Sequence, residues 1–449
     1  MEIFFYKGNE NILENKRDLD EEATPEVCYK KIQDSFLKVL DNKNLSFLLG
    51  CGCSSFKTEE TEPKEIGIPV MAPLAKEFYN ADFFKEEKTW LKEKLSIDVT
   101  DSIFSDNLEL FLSTLHSLSF YHQKKSKTVK EIEKSESNED AISVKEFKDL
   151  DDSEKIDSVI LKARIFLLKK CLNEENGKNT TDNTSADYPL IELYKQFYRK
   201  LLSRNSTLPR LNIFTTNYDL YSERAMDLLG IHYVNGFTGG ISKFFNPAIF
   251  NYALAEKMDL SQSKWSVIDN FFYLYKIHGS VNWIEADGEN KLFRVKEIQE
   301  PTFNQLEKQE TIMIHPTPLK YNASLGSPYF DLFREFQKKL MQNNNILVTV
   351  GYSFSDEHIN NLIFQAFTIP SFRLIVIGEP TAHNNIGKLL ALNDSRIWII
   401  GEKCPPDKTN YVPLHFFKRF VEQILPDLTA EDLDKKMEKT IQNLKDLLK

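Results

Sequence analysis

Six short, almost continuously apolar runs constrain this chain most: Leu45–Leu49, Leu211–Phe214, Phe271–Ile277, Ile346–Val350, Leu374–Ile377 and Ile397–Ile400. A strand with one wet face alternates apolar and polar residues. A strand covered on both faces does not, and it reads like these runs. Two weaker strand signals join them, at Ile231–Val234 and Thr311–Ile314. Stretches of helical periodicity lie between, for example Leu108, Leu110, Phe111, Leu115 and Leu118. Strands alternating with helices predict an α/β chain built on a doubly wound, mostly parallel sheet.

The pattern is interrupted once at length. Residues 73–205 are read as a helical insertion, with helices expected at Val159–Leu172 and Tyr188–Leu202. Lys, Glu, Ser and Asp dominate 123–158, which holds too few apolar residues to offset ordering entropy, so part of the insertion is expected to be disordered. Asn173–Asp187 reads as a polar loop and Asn235–Pro247 as a glycine-rich one. The organisation expected is an N-terminal extension over 1–43 with a helix at Pro25–Leu40, a main domain over 44–403, and a C-terminal helical tail over 404–449. In that tail Leu433, Met437, Ile441, Leu444 and Leu448 form one stripe.

Composition narrows the partners. Hydrophobic residues are 41% of the 449, enough for a sizeable core. The formal net charge is −10, from 57 basic and 67 acidic residues, which argues against direct nucleic-acid binding. Five cysteines at irregular spacing do not read as a disulfide framework. No apolar run approaches the roughly 18 residues of a membrane span, and no secretory leader opens the sequence, so a reducing cytoplasm is expected.

The ends of the apolar runs carry the chemistry. Phe214-Thr-Thr-Asn-Tyr-Asp219 presents Thr216, Asn217 and Asp219. Lys276-Ile-His-Gly-Ser-Val-Asn-Trp283 presents His278, and Gly50, Gly52 and Ser54 follow the run ending at Leu49. Gly351, Ser353 and Asp356 follow Val350, and Gly378 follows Ile377. Open α/β sheets bind ligands at the carboxyl ends of their strands. Glycines there let backbone approach a phosphate, which the N-terminus of a following helix favours. Histidine titrates near neutrality and serves as a general base. Plainer readings stand beside these. Asn217 suits a turn, Asp219 and Asp356 suit helix caps, His278 suits a buried histidine bonded to backbone, and any tight turn uses glycine. Cys51 and Cys53 read as small packing residues, and His358 as a packing or surface residue.

These runs, in this order, resemble the sirtuin-like superfamily. Gly50-Cys51-Gly52-Cys53-Ser54 is similar to its Gly-Ala-Gly-x-Ser motif, and Gly67-Ile68-Pro69 to its Gly-Ile-Pro. Thr216-Asn217-Tyr218-Asp219 resembles its Gln-Asn-Ile-Asp, His278-Gly279 its His-Gly, and Gly351-Tyr352-Ser353 its Gly-Thr-Ser. The wording is closer to bacterial sirtuin-like antiphage effectors than to deacetylases. The resemblance implies a Rossmann-like fold and NAD+ as substrate. It implies Asn217, His278 and Asp219 as catalytic residues. It places Gly50, Gly52, Ser54, Thr216, Gly351, Ser353, Asp356 and Gly378 at the dinucleotide. A neutral amide at Asn217 would orient ribose hydroxyls or water without trapping the cationic charge that develops on the ribose.

The departures matter as much. No Cys-x-x-Cys pair is present, so no zinc site is expected. Val70-Met71-Ala72 stands where deacetylases carry Asp-Phe-Arg, so nicotinamide must be held by other groups. The segment from Asn235 onward occupies the region where a deacetylase would admit its peptide, which makes water the simplest nucleophile. The function expected is an NAD+ glycohydrolase that acts in abortive infection. It would be switched by homo-oligomerisation or a partner, a HerA-type ATPase first, a phage protein or short Argonaute after it. The alternatives are an NAD- or ADP-ribose-binding module without turnover, and a protein ADP-ribosyltransferase or deacylase.

Overall fold

Nine strands form the central sheet of the computed structural model. It describes residues 2–14, 24–58, 64–130, 147–172, 188–257, 265–286, 295–306, 311–313, 328–404 and 411–427. In chain order the strands are β1 (Glu2–Lys7), β2 (Glu10–Asn11), β3 (Asn44–Leu49), β4 (Asn212–Thr215), β5 (His232–Val234), β6 (Phe271–Lys276), β7 (Asn345–Val350), β8 (Arg373–Ile377) and β9 (Ile397–Lys403). Their spatial order is β2-β1-β9-β8-β7-β3-β4-β6-β5. From β9 to β5 every pairing is parallel, and only β1 and β2 run antiparallel at one edge. The sheet is the Rossmann-like, mostly parallel one that the apolar runs predict.

Both faces are covered, which is why the runs do not alternate. Phe47, Leu49, Ile213, Leu274, Val348 and Val350 face one core, shared with α1 (Pro25–Leu40) and later helices. Leu48, Phe214, Tyr275, Leu347, Val376 and Ile399 face the other. The N-terminal segment is part of this architecture. Phe4 and Phe5 bury on opposite faces as β1 pairs with β9, Glu2 opposite Lys403. Residues 411–427 also enter the first core through Leu414, Phe417, Phe420, Val421 and Ile424. The helix expected at 429–449 and the loop expected at 173–187 lie outside the described residues.

The stretch between β3 and β4 divides in two. Helices α2 (Met71–Asn80), α3 (Lys85–Leu95), α4 (Leu108–Lys130) and α5 (Asp152–Leu172) share a core of their own around Phe78, Phe84, Phe111, Leu115, Val159 and Phe166. Helix α6 (Tyr188–Leu202) instead packs on the sheet through Leu190, Tyr194, Phe197 and Leu201. The charged stretch 123–158 is helical at both ends, because α4 runs on to Lys130 and α5 starts at Asp152. Its middle, 131–146, lies outside the described residues. Charge alone does not break a helix whose neighbouring turns are anchored in a core.

Two further expectations are corrected. Thr311–Met313 joins not the main sheet but a second, five-stranded one, paired with Gly279–Glu285. The glycine-rich run Asn235–Pro247 is not simply a loop. Phe237–Thr238 pairs with Lys243–Phe245, and both Phe237 and Phe245 are buried. Helix α7 (Tyr221–Leu228) follows β4.

Candidate active site

Register puts the candidate residues in one row. Val350 is opposite Leu49, Leu49 opposite Thr215, and Thr215 opposite Lys276. Four parallel strands therefore end level, about 14 Å from first to last at roughly 4.8 Å per step. The residues just beyond are Gly351, Gly50, Thr216–Asn217 and His278. Chain order reverses between β3 and β7, so the glycine turn and Gly351 flank the topological switch point, where open sheets bind ligands.

The glycines interlock. Gly50 donates its amide to Val350 O at 2.9 Å, and Gly52 to Gly351 O at 3.0 Å. A Cβ on Gly50 would lie 2.4 Å from Gly351 O, and one on Gly52 2.9 Å from Gly351 Cα. Gly351 has φ +64°, and its own Cβ would meet Cys53 N at 2.8 Å. Contact between two loops thus requires all three glycines before any ligand is considered. Among the described residues no helix directly follows the turn. Cys51–Cys53 forms a single 3-10 turn, Ser55–Lys57 pairs with Glu65–Gly67, and the next helix is α2.

Asn217 is buried and donates Nδ2 to Gly50 O at 3.0 Å, tying β4 to the glycine turn. Its backbone amide bonds Thr215 Oγ1 at 3.0 Å. Thr216, half-buried, donates its amide to Leu49 O. Asp219 is also buried. Its Oδ2 accepts from Ser54 Oγ at 2.6 Å, and Oδ1 accepts from the Tyr221 amide at 3.2 Å. Asp219 thus ties the glycine turn, through the Ser54 hydroxyl, to the backbone that leads into Tyr221–Leu228.

His278 Nε2 lies 3.0 Å from Asp356 Oδ2, with both side chains about 10% exposed. Asp356 Oδ1 accepts from the amides of His358 and Ile359, capping α8 (Glu357–Ala366). One carboxylate thus fixes a helix start with one oxygen and an imidazole with the other. Ser353 is exposed, its hydroxyl 3.0 Å from Ser355 Oγ. Gly378 directly follows β8, one strand beyond β7, and donates its amide to Ile400 O at 3.0 Å. A Cβ there would meet Ile386 Cδ1 at 2.5 Å.

Reading the sequence missed Lys276 and Glu223. Lys276 is 1% exposed and pairs with Glu223 Oε1 at 3.1 Å. Its ammonium also donates to the carbonyls of Tyr218 and Asp219. A lysine two residues before His278 therefore holds the backbone that carries Asn217. The signal was a lysine closing an otherwise buried strand, which is rare without a partner. Burial raises the Glu223 carboxyl, opposed by the charge of Lys276.

Cys51 is exposed, contrary to a packing role, yet burial raises its thiol, with the charge of Glu109 second. Tyr218 is half-buried, yet burial raises its phenol well above the ordinary value, with Glu109, Tyr329 and Asp356 contributing. Cys53, by contrast, is fully buried, its thiol 3.3 Å from Val350 O. Two clefts lie away from the row, about 770 Å³ against α2 and α5 and about 490 Å³ at the amino ends of β3 and β4.

Residues 211–370 match the SIR2-like domain. The SIR2-like stretch holds Asn217, Asp219, Lys276, His278, Gly351 and Asp356, while β3 with its glycine turn lies before it. SIR2-like domains use NAD+, so this row is tied to NAD-dependent chemistry in general. No curated protein matches the chain. Among the described residues no group of three His, Cys, Asp or Glu side chains could hold a metal ion, and no helix is long and apolar enough to cross a membrane.

Proposed function

We propose that this chain is an NAD+ glycohydrolase. The observation that carries the reading is the His278–Asp356 pair at 3.0 Å, level with Asn217 along the carboxyl edge of a SIR2-like sheet. Water attacks the anomeric carbon of the nicotinamide ribose, the glycosidic bond breaks with its electron pair passing to nicotinamide, and ADP-ribose is the second product. Asn217, held by Gly50 O through Nδ2, keeps Oδ1 for the ribose or the water. His278 takes the proton of the water, and Asp356 stabilises the resulting imidazolium. Asp219 and Ser54 hold the loop.

The setting belongs to the same proposal and rests on the resemblance to bacterial effectors. The enzyme depletes NAD+ when phage is sensed, and self-assembly or a HerA-type ATPase switches it on. The test is nicotinamide release across size-exclusion fractions, for wild type, Asn217→Ala and His278→Ala. Each substitution is expected to lower turnover at least about a hundredfold, with far-UV circular dichroism intact. Tight NAD+ binding by the wild type without nicotinamide release in any fraction would replace this reading with that of a sensing module.

A further inference from the structure

The cleft of about 490 Å³ opens at the end of the sheet opposite the row. The first residues of three adjacent strands line it, Asn44 of β3, Asn212 of β4 and Phe271 of β6. The length of β3 separates it from the glycine turn, about 20 Å at 3.3 Å per residue. Its volume is that of a small-molecule site. Lys43, Arg210 and Lys339 also line it, and among the described residues no Asp or Glu does. In a chain of net charge −10 that is a local reversal of sign.

The fold uses little of this charge. Arg210 pairs with Asp269 at 2.8 Å, an acid that is itself 66% exposed. Among the described residues neither Lys43 nor Lys339 has a hydrogen bond or ion pair through its ammonium. Lys43 is exposed, as surface lysines are, but Lys339 is half-buried. Its ammonium lies 5.2 Å from the centroid of the Tyr273 ring, while the neighbouring Glu335 pairs with Lys338. Burial lowers the Lys339 ammonium, Glu335 opposing and Lys338 adding. Register sets Asn212 opposite Tyr273. Asn212 is 7% exposed, and its Oδ1 accepts from Tyr275 Oη at 3.3 Å. Its Nδ2 has no partner among the described residues, and a donor on so buried a side chain is costly to leave unmade.

We propose that this cleft is a second ligand site, separate from the row, and that it takes a nucleoside diphosphate. Lys43, Arg210 and Lys339 hold the phosphates through charge-assisted hydrogen bonds. Asn212 Nδ2 donates to the ligand, and Phe271 with Tyr273 forms an aromatic wall for the base. Bare phosphate would leave that wall unused.

Isothermal titration with ADP, GDP, UDP, inorganic pyrophosphate and adenosine, with hydrogen exchange of the full chain to locate binding, tests this. At least one diphosphate binds about tenfold or more tightly than pyrophosphate or adenosine and protects 206–212 and 339–345. Lys339→Gln and Lys43→Glu, the second at an exposed position that the fold tolerates, each weaken it about tenfold or more. Equal binding of pyrophosphate or of adenosine overturns the assignment of a nucleoside diphosphate, and unchanged affinity in both variants overturns the role of the cations. Protection confined to 50–54 and 351–356 puts the ligand at the row and overturns the second site, as does failure of all three diphosphates to bind.

Discussion

Replacing Lys276 with Met leaves the Glu223 carboxylate buried without its cation. Both side chains are under a tenth exposed, so water screens little of the loss. The chain can escape by protonating Glu223, which caps the cost. Neutralising a carboxyl of unfolded pKa about 4.3 at pH 7 takes about 3.7 kcal/mol, at 1.36 kcal/mol per unit. Lys276→Met is therefore expected to lose about 3–4 kcal/mol by urea denaturation at pH 7. The sign of its pH dependence follows. Burial raises the carboxyl in the folded state, and without Lys276 the folded variant keeps a proton that the unfolded chain has released. The variant's deficit therefore grows as pH rises, by about 1.4 kcal/mol per unit above pH 4.3 until the folded-state carboxyl ionises. The double variant Lys276→Met/Glu223→Gln removes both charges. It should regain most of the stability and lose the pH slope, yet remain slow in NAD+ turnover, because the carbonyls of Tyr218 and Asp219 have lost their donor. A single variant with under about 1 kcal/mol of loss and no slope, or a double variant with wild-type turnover, refutes the reasoning.

Two other substitutions test the frame. Gly351→Ala combines φ +64° with a Cβ 2.8 Å from Cys53 N, and should cost about 2–5 kcal/mol, whereas Gly230→Ala, with the same φ and nothing within 4 Å, should cost about 1–2. Urea midpoints compare them, and equal costs would mean that the two loops do not interlock. Burial pushes the His415 pKa down to about 4, a hydrogen bond at the Glu402 backbone opposing and Arg419 adding to the effect. The unfolded chain binds a proton below about pH 6.5 that the folded one refuses, so this group should remove about 2 kcal/mol between pH 7.5 and 5. His415→Gln should lose that much less over the same range, and a parallel loss would contradict the assignment.

The sheet was legible because doubly buried strands leave no ambiguity of face. Leu45–Leu49 and Ile346–Val350 are observed one residue longer, at Asn44–Leu49 and Asn345–Val350. Phe4 and Phe5 were not read as a strand, since two apolar residues followed by Tyr6-Lys7 look the same in a loop. Only the partner, β9 some 400 residues on, makes them one. The short strands at Phe237 and Phe245 were hidden by glycines that also serve loops. At the site, residue types were visible but pairings were not. Ser54 with Asp219 and His278 with Asp356 join distant segments, and neither has a local pattern. Lys276 carried a signal, a lysine closing a buried strand, but nothing local named Glu223 as its partner.

The register of Val350, Leu49, Thr215 and Lys276 also bears on synthesis. β3 emerges first, gains β4 on one side, and waits for its other neighbour, β7, until about 300 residues later. Until then Gly50 and Gly52 have no Gly351 to lock against, and His278 has no Asp356. A ribosome-bound chain that stops short of residue 356 carries Asn217 and His278 but not the pair between His278 and Asp356. The late arrival of one central strand makes the interlocked glycine turn and the His278–Asp356 pair properties of the finished sheet, withheld throughout most of translation.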